Sequence, residues 1–368
     1  MRQKISLFGW IFLLIFFSQE LSLLGQTSQA PSLNEIEKQG VIGRDLILAR
    51  KYEEAIAHFK KLESEYPDST LGSFGQMAVW QSKMFENFDF KYDAEYQQLS
   101  VKNKALVEKV LKNPDSSAWD LFLAGASAGI RGFYLMRKDQ VLKALSEANT
   151  ARKALEKTLQ KDPHFVDVYL GLGMFDYWRS VFTNQFNFLP FFSDKRAQGL
   201  AEVEKAMKEG RIVGSLAEAS LAFCYYEGRN AAKAEGLLLD LLKKYPDNVI
   251  FKNILGDLYA MKRNYLEAHK IFDQVLKFHP DINLPRFFKA KTYFMEGKYE
   301  EARQWYANFI NAKPPPEWAS YALADLGRLY LKEGKEKEAY EKFKEALRLY
   351  SDNKSALREL QKLRDKRW

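Results

Sequence analysis

"NILGDLYAMKRNYLEAHKIFDQVLKFHP", residues 253–280, decides the fold of this chain. Leu255, Gly256 and Tyr259 recur at helical spacing and share one face of a first helix. Ala268, Phe272 and Val275 do the same on a second helix, after the polar break "KRN". Pro280 ends the second helix, because its ring cannot continue the hydrogen-bond ladder and it pushes His279 out of the helical region. Two antiparallel helices of this length cannot cover their own apolar stripes, so the pattern demands neighbours.

The neighbours are present. Pro246, Pro280 and Pro314 are spaced by 34 residues. Twelve residues before each lies an alanine (Ala234, Ala268, Ala302), eight before a bulky residue (Leu238, Phe272, Tyr306), and five before another (Leu241, Val275, Phe309). The frame continues through Leu326, Gly327, Tyr330, Ala339, Phe343 and Ala346, set off by three extra residues at Pro314–Pro316 and with Ser351 replacing the proline. Near the start it returns as Gly43, Ala55, Phe59, Leu62 and Pro67. This agreement of spacing and residue type resembles the tetratricopeptide repeat. The resemblance implies an all-α, right-handed solenoid of about eight antiparallel helix pairs. In it, Gly256 and Ala268 let the helices of a pair approach, and Tyr259 and Phe272 fill the space between pairs.

Laid over the whole chain, the frame divides it as follows. Residues 1–30 are a targeting segment, and 31–162 hold one regular repeat (about 35–68) and two longer, degenerate pairs, 69–113 and 116–162. Residues 163–210 form an interrupted repeat, 211–351 four regular repeats, and 352–368 a charged capping helix. In the interrupted repeat, Tyr169, Leu172 and Gly173 belong to the first helix and Gly199, Val203 and Ala206 to the second, with fourteen extra residues, 181–194, between them. The insertion contains "FTNQFNFLPFF", residues 182–192, with five phenylalanines. Two readings stand: Phe182, Phe186, Phe188, Phe191 and Phe192 pack against the helices of residues 116–162, or they form an apolar tip for a bilayer or a partner.

A second resemblance covers about 121–230, through "LAGASAGIRGFYL", "DPHFVDVYLGLGMFDYWRS", "LPFFSDKRAQGL" and "AEASLAFCYYEGRN". These stretches are similar to a family of exported bacterial tetratricopeptide proteins. More distantly they resemble the eukaryotic tetratricopeptide proteins linked to the mitochondrial outer membrane and to inclusion-body clearance. The resemblance implies a structural role for Gly171, Gly173, Asp194 and Arg196, with Asp194 expected to cap the helix that follows. It implies no catalytic activity.

The rest of the sequence narrows the function classes. Arg2 and Lys4 precede a thirteen-residue apolar run, Ile5–Phe17, which reads as a signal peptide and predicts export to the bacterial periplasm or cell envelope. Retention of that segment would make it an anchor. The net charge of +8 is spread over interspersed Lys, Asp and Glu, a solvated surface and not a nucleic-acid stripe. With Cys224 the one cysteine, no internal disulfide forms, and a buried thiol is expected. The four histidines are scattered, so no metal or cofactor is expected. "GASAG", residues 125–129, matches a nucleophile elbow around Ser127, but Leu121, Gly125, Gly129 and Gly132 at helical spacing read as a small-residue stripe for close helix packing. No catalytic residue is assigned.

In the tetratricopeptide family the first helices of each pair line the concave face. The resemblance therefore nominates as groove residues Phe223 and Tyr226, then Asn253 and Asp257, then Phe287, Lys291 and Phe294, then Tyr321 and Arg328. Such a face suits a peptide with acidic and apolar side chains, although part of its aromatic content can equally be internal packing. The expected function is a non-enzymatic scaffold of the cell envelope for a protein or peptide partner. The alternative is a peripheral membrane protein held by Phe186, Phe188, Phe191 and Phe192.

Overall fold

A computed structural model describes residues 34–183 and 193–365. Among them are seventeen α-helices and no strand. They run as α1 (Glu35–Leu48), α2 (Tyr52–Glu65), α3 (Leu71–Asn87), α4 (Asp93–Lys112), α5 (Ala118–Arg137), α6 (Val141–Lys161), α7 (Val168–Thr183), α8 (Arg196–Glu209) and α9 (Gly214–Glu227). Then follow α10 (Ala231–Lys244), α11 (Val249–Met261), α12 (Tyr265–Phe278), α13 (Leu284–Glu296), α14 (Tyr299–Asn311), α15 (Pro316–Lys332), α16 (Glu336–Leu349) and α17 (Lys354–Asp365). The result is eight helix pairs and a last single helix. Two compact units emerge, one of residues 34–81, 92–183 and 193–224, the other of residues 82–91 and 225–365.

In the unit of residues 225–365 the repeat columns become the core. Ala234, Ala268, Ala302 and Ala339 are fully buried, as are Leu238, Phe272, Tyr306 and Phe343. Two of the regular pairs close tightly against a glycine: a Cβ on Gly256 would fall 2.6 Å from the Phe272 ring, and one on Gly327 2.7 Å from Phe343. Phe272 thus fills the space within its own pair as well as reaching Phe288 of the next, with centroids 5.9 Å apart. The sequence reading placed it only between pairs. Truncating such a ring to alanine costs ~3–5 kcal/mol, since transfer and cavity terms add. The last helix, α17, buries Ala356, Leu360 and Leu363. Asn353 starts it, accepting from the Ala356 N–H at 3.1 Å and donating to Ser320 Oγ at 2.9 Å.

The turn joining the two helices of a pair has a signature absent from the sequence frame. Arg229, Arg263 and Gly297 adopt positive φ (62°, 63° and 86°), one per repeat. Glycine occupies this left-handed position without strain, whereas Arg229 and Arg263 occupy it against a steric penalty.

The other unit holds the two long pairs and the interrupted one. In α5, Gly125 meets Leu155 of α6, where a Cβ would lie 2.8 Å from the side chain. Gly129 departs from the expected stripe: it is exposed, and a Cβ there would meet nothing. Ser127 is buried in mid-helix, its Oγ accepting from Asn103 Nδ2 at 3.2 Å, a geometry unlike a strand-to-helix elbow. Helices α7 and α8 approach backbone to backbone, because a Cβ on Gly173 would lie 2.5 Å from the Gly199 carbonyl and one on Gly199 2.4 Å from that of Gly173. Helix α7 continues to Thr183, so the first three residues of the stretch 181–194 are helical. Asp194 serves the start of α8 as expected, though from one position before the N-cap residue Lys195: its carboxylate accepts from the N–H of Arg196, the first helical residue, at 3.0 Å and pairs with the same residue's guanidinium. A second carboxylate, Asp167, is buried and accepts from the N–H groups of Ile212 (2.7 Å), Val213 (2.8 Å) and Arg211 (3.2 Å) just ahead of α9.

Candidate functional site

Helix α11 carries Asn253 and Asp257 one turn apart, which puts both on the same face. Lys291 on α13 stands 34 residues after Asp257, the same place in the next repeat. Stacking therefore brings opposite charges together: Lys291 Nζ lies 2.6 Å from Asp257 Oδ1. The other carboxylate oxygen accepts from the Tyr226 hydroxyl at 2.5 Å. Asp257 is 0% exposed, so its charge is stable there only because a cation and a phenol both satisfy it. Burial, with the Asp257 carboxylate beside it, pushes the Tyr226 phenol well above the ordinary tyrosine range. The tyrosine is therefore a donor and not a proton source.

Glu227, the neighbour of Tyr226, is half-buried at the end of α9. Burial raises its carboxyl to about 8, with the Asp257 charge adding to the effect and Lys291 and Arg229 opposing it. Asn253 is buried as well, yet its Oδ1 meets no hydrogen-bond donor among the described residues. A buried carbonyl without a donor costs ~1–3 kcal/mol.

The remaining nominated residues divide. Phe287 is core, its ring centroid 5.1 Å from Trp318, 5.4 Å from Phe309 and 5.8 Å from Tyr306. Tyr321 is buried between Trp318 and Tyr350, with centroids 6.4 Å and 6.3 Å away. Phe294 is half-buried beside Tyr299. Arg328 pairs with Asp325 of its own helix, and Asp325 also accepts from the buried Tyr306 hydroxyl at 3.0 Å. The two nominated cations are thus neutralised internally. Phe223, in the other compact unit, is half-buried with its ring 6.1 Å from Trp178. Phe186, Phe188, Phe191 and Phe192 lie outside the described residues, as does the segment 1–30. Among the described residues no cluster of His, Cys, Asp and Glu could hold a metal ion, and no helix is long and apolar enough to cross a membrane. Cys224 is buried, its sulfur 3.9 Å from that of Met174.

Asp325 and Glu227 escaped the sequence reading. Asp257 and Lys291 were both nominated as groove residues one repeat apart, at 257 and 291, and it is the stacking that pairs them with each other.

Residues 136–356 match the family described as Iml2/Tetratricopeptide repeat protein 39, which is more than half of the chain. The chain belongs to that family. A general tetratricopeptide repeat also matches at 42–69, the first regular repeat of this Iml2/Tetratricopeptide repeat protein 39 member. No curated protein matches it. Among solved structures, it is similar to a tetratricopeptide repeat protein from Parabacteroides merdae, at 16% identity over 79% of this chain and 98% of that one, with a TM-score of 0.49. Yeast Tom70 is similar at 13% identity, over 89% of this chain and 80% of its own, with a TM-score of 0.49. For Pseudomonas aeruginosa pilF the figures are 18%, 66% and 97%, with a TM-score of 0.43. None of these likenesses bears on what the Iml2/Tetratricopeptide repeat protein 39 member binds.

Proposed function

We propose that this chain is a non-catalytic scaffold of the bacterial cell envelope that binds a protein or peptide segment along the first helices of its regular repeats. The stacked tetratricopeptide architecture is that of a protein-interaction scaffold. The observation that carries the finer reading is the unpaired, buried Oδ1 of Asn253 beside the satisfied Tyr226–Asp257–Lys291 set. A peptide backbone N–H supplies the donor that Asn253 lacks, and the neutralised charges leave apolar side chains of the peptide to set specificity.

The test is affinity capture from an envelope fraction with the full chain and its Asn253→Ala variant, each of matched thermal stability. A protein held by the wild type and lost from the variant supports groove binding. An identical captured set sinks it and moves attention to residues 182–192. Cell fractionation tests the location: recovery of the chain in the cytoplasm alone contradicts the envelope assignment.

A further inference from the structure

Residues 82–91 belong to the same compact unit as residues 225–365, although the helix they end, α3, begins in the other. Asn87 is the last residue of α3, and its Oδ1 accepts from the backbone N–H of Asn283 at 2.7 Å. Asn283 is the N-cap of α13, and it receives no side-chain cap from its own helix. The first N–H groups of a helix have no internal acceptor, and the end of the helix dipole favours an oxygen there. Asn87 therefore acts as a cap supplied from almost two hundred residues away, 283 against 87.

The next residue completes the contact. Phe88 places its ring edge-on to Trp318, with centroids 5.3 Å apart, and packs on the core of this unit. Trp318 is buried in the first turn of α15, and it holds Phe287 at 5.1 Å and Tyr321 at 6.4 Å. Phe88 has a positive φ of 54°, the left-handed helix-end conformation that Arg50, Asp139, Arg229, Arg263 and Lys313 also adopt, and it turns the chain out of α3. One dipeptide thus supplies an oxygen to a helix start and a ring to an aromatic surface. The local sequence repeats that chemistry: "FENFDF", residues 85–90, reads Asn-Phe and then Asp-Phe.

We infer that residues 85–90 are an internal ligand, and that the surface formed by Asn283 and Trp318 is a docking site for a partner protein segment in which an amide or carboxylate side chain precedes an aromatic one. A carboxylate in the Asn87 position binds the α13 start more strongly than an amide, since a charged acceptor shortens and strengthens the bond. Because the internal segment is tethered, it competes at high effective concentration, and a partner engages only the small fraction of molecules in which the segment is released. The inference stands apart from the Asn253 groove, which uses other residues.

The experiment uses the full chain and a labelled peptide of residues 82–91, SKMFENFDFK, with fluorescence anisotropy as readout. The Asn87→Ala/Phe88→Ala variant is expected to bind this peptide at least about tenfold more tightly than the wild type, as removal of a competitor populating ~90% or more of the molecules requires. The peptide carrying Ala in place of Phe88 is expected to show no such gain. Amide exchange at Asn283 keeps the test informative if the double variant is unstable: Asn87→Ala alone is expected to speed it, and added peptide to restore protection. A folded double variant that binds the peptide no better than wild type overturns the inference, as does an Asn283 amide indifferent to Asn87→Ala. Pairing of the variant with wild-type chain in sedimentation, while free peptide fails to bind, overturns the partner assignment in favour of a second copy.

Discussion

Two buried polar sets, one in each compact unit, each join a carboxylate to a cation beside an asparagine, and they end differently. In residues 70–147 the centre is Arg131, whose Nε and Nη2 donate to Glu147 Oε2 at 3.0 and 2.8 Å while Nη1 reaches Asn103 Oδ1. Asn103 Nδ2 in turn approaches Ser73 Oγ at 3.0 Å and Ser127 Oγ at 3.2 Å, and Lys104 lies 3.6 Å from the other Glu147 oxygen. All of the side-chain nitrogens of Arg131 and both ends of Asn103 are engaged. In the second set, Asp257 is equally well satisfied by Tyr226 and Lys291, but Asn253 keeps an unpaired oxygen. The first set is a closed structural joint between helices α3, α4, α5 and α6. The second holds the Asp257 charge equally well, but its neighbour Asn253 has one oxygen with no donor among the described residues.

Arg131→Met leaves Glu147 and Asn103 buried without their main partner, and chemical denaturation should show a loss of ~3–5 kcal/mol. Lys291→Met should cost less, about 2–3 kcal/mol, because Tyr226 still donates to Asp257 and the lysine side chain is 19% exposed. A loss from Lys291→Met equal to or above that of Arg131→Met would erase the distinction.

Two titrating groups in the unit of residues 225–365 act on stability in opposite senses. Glu227 holds its proton more tightly folded, at about 8, than unfolded, near 4.5. Its contribution is therefore full below 4.5 and drains away as pH rises through about 8. Glu227→Gln should flatten that decline in a pH series of melting temperatures, and an unchanged slope would assign it to other groups. His269 acts in the opposite sense: burial outweighs Glu296, 3.2 Å away, and lowers its pKa from 6.5. Stability from His269 is present above 6.5 and falls as the solution is acidified below it, a trend that His269→Gln should remove.

Two smaller effects complete the series. Asn253→Leu should leave stability unchanged or raise it by up to ~1 kcal/mol, since it removes an unsatisfied buried oxygen, whereas Asn103→Leu should destabilise. Destabilisation by Asn253→Leu would mean that its oxygen has a partner after all. Arg263→Gly should add ~0.5–1 kcal/mol by relieving a left-handed backbone, as glycine already does at position 297.

What could be read from residues alone followed from periodicity. The alanine, bulky-residue and proline columns announced helix pairs of fixed length, and those columns are the core because each is forced inward by its place on a 3.6-residue helix. Lys291 and Asp257 were nominated as surface charges by the same logic, but periodicity orders residues along one face without saying which neighbours satisfy them. Phe287 and Tyr321 were nominated with equal right and are packed away against Trp318, since an aromatic ring is as good a core residue as a groove residue.

Helix pairing, repeat number and the buried columns were thus determined by the sequence itself, because local periodicity and stacking act on residues near in the chain. Only the tertiary structure decided that Asn283 is capped by Asn87, that Trp318 meets Phe88, and that Asn253 stays unpaired. Those contacts join residues far apart in the chain or depend on the absence of a donor. No pattern of spacing encodes either, because both depend on where stacked repeats bring side chains in space.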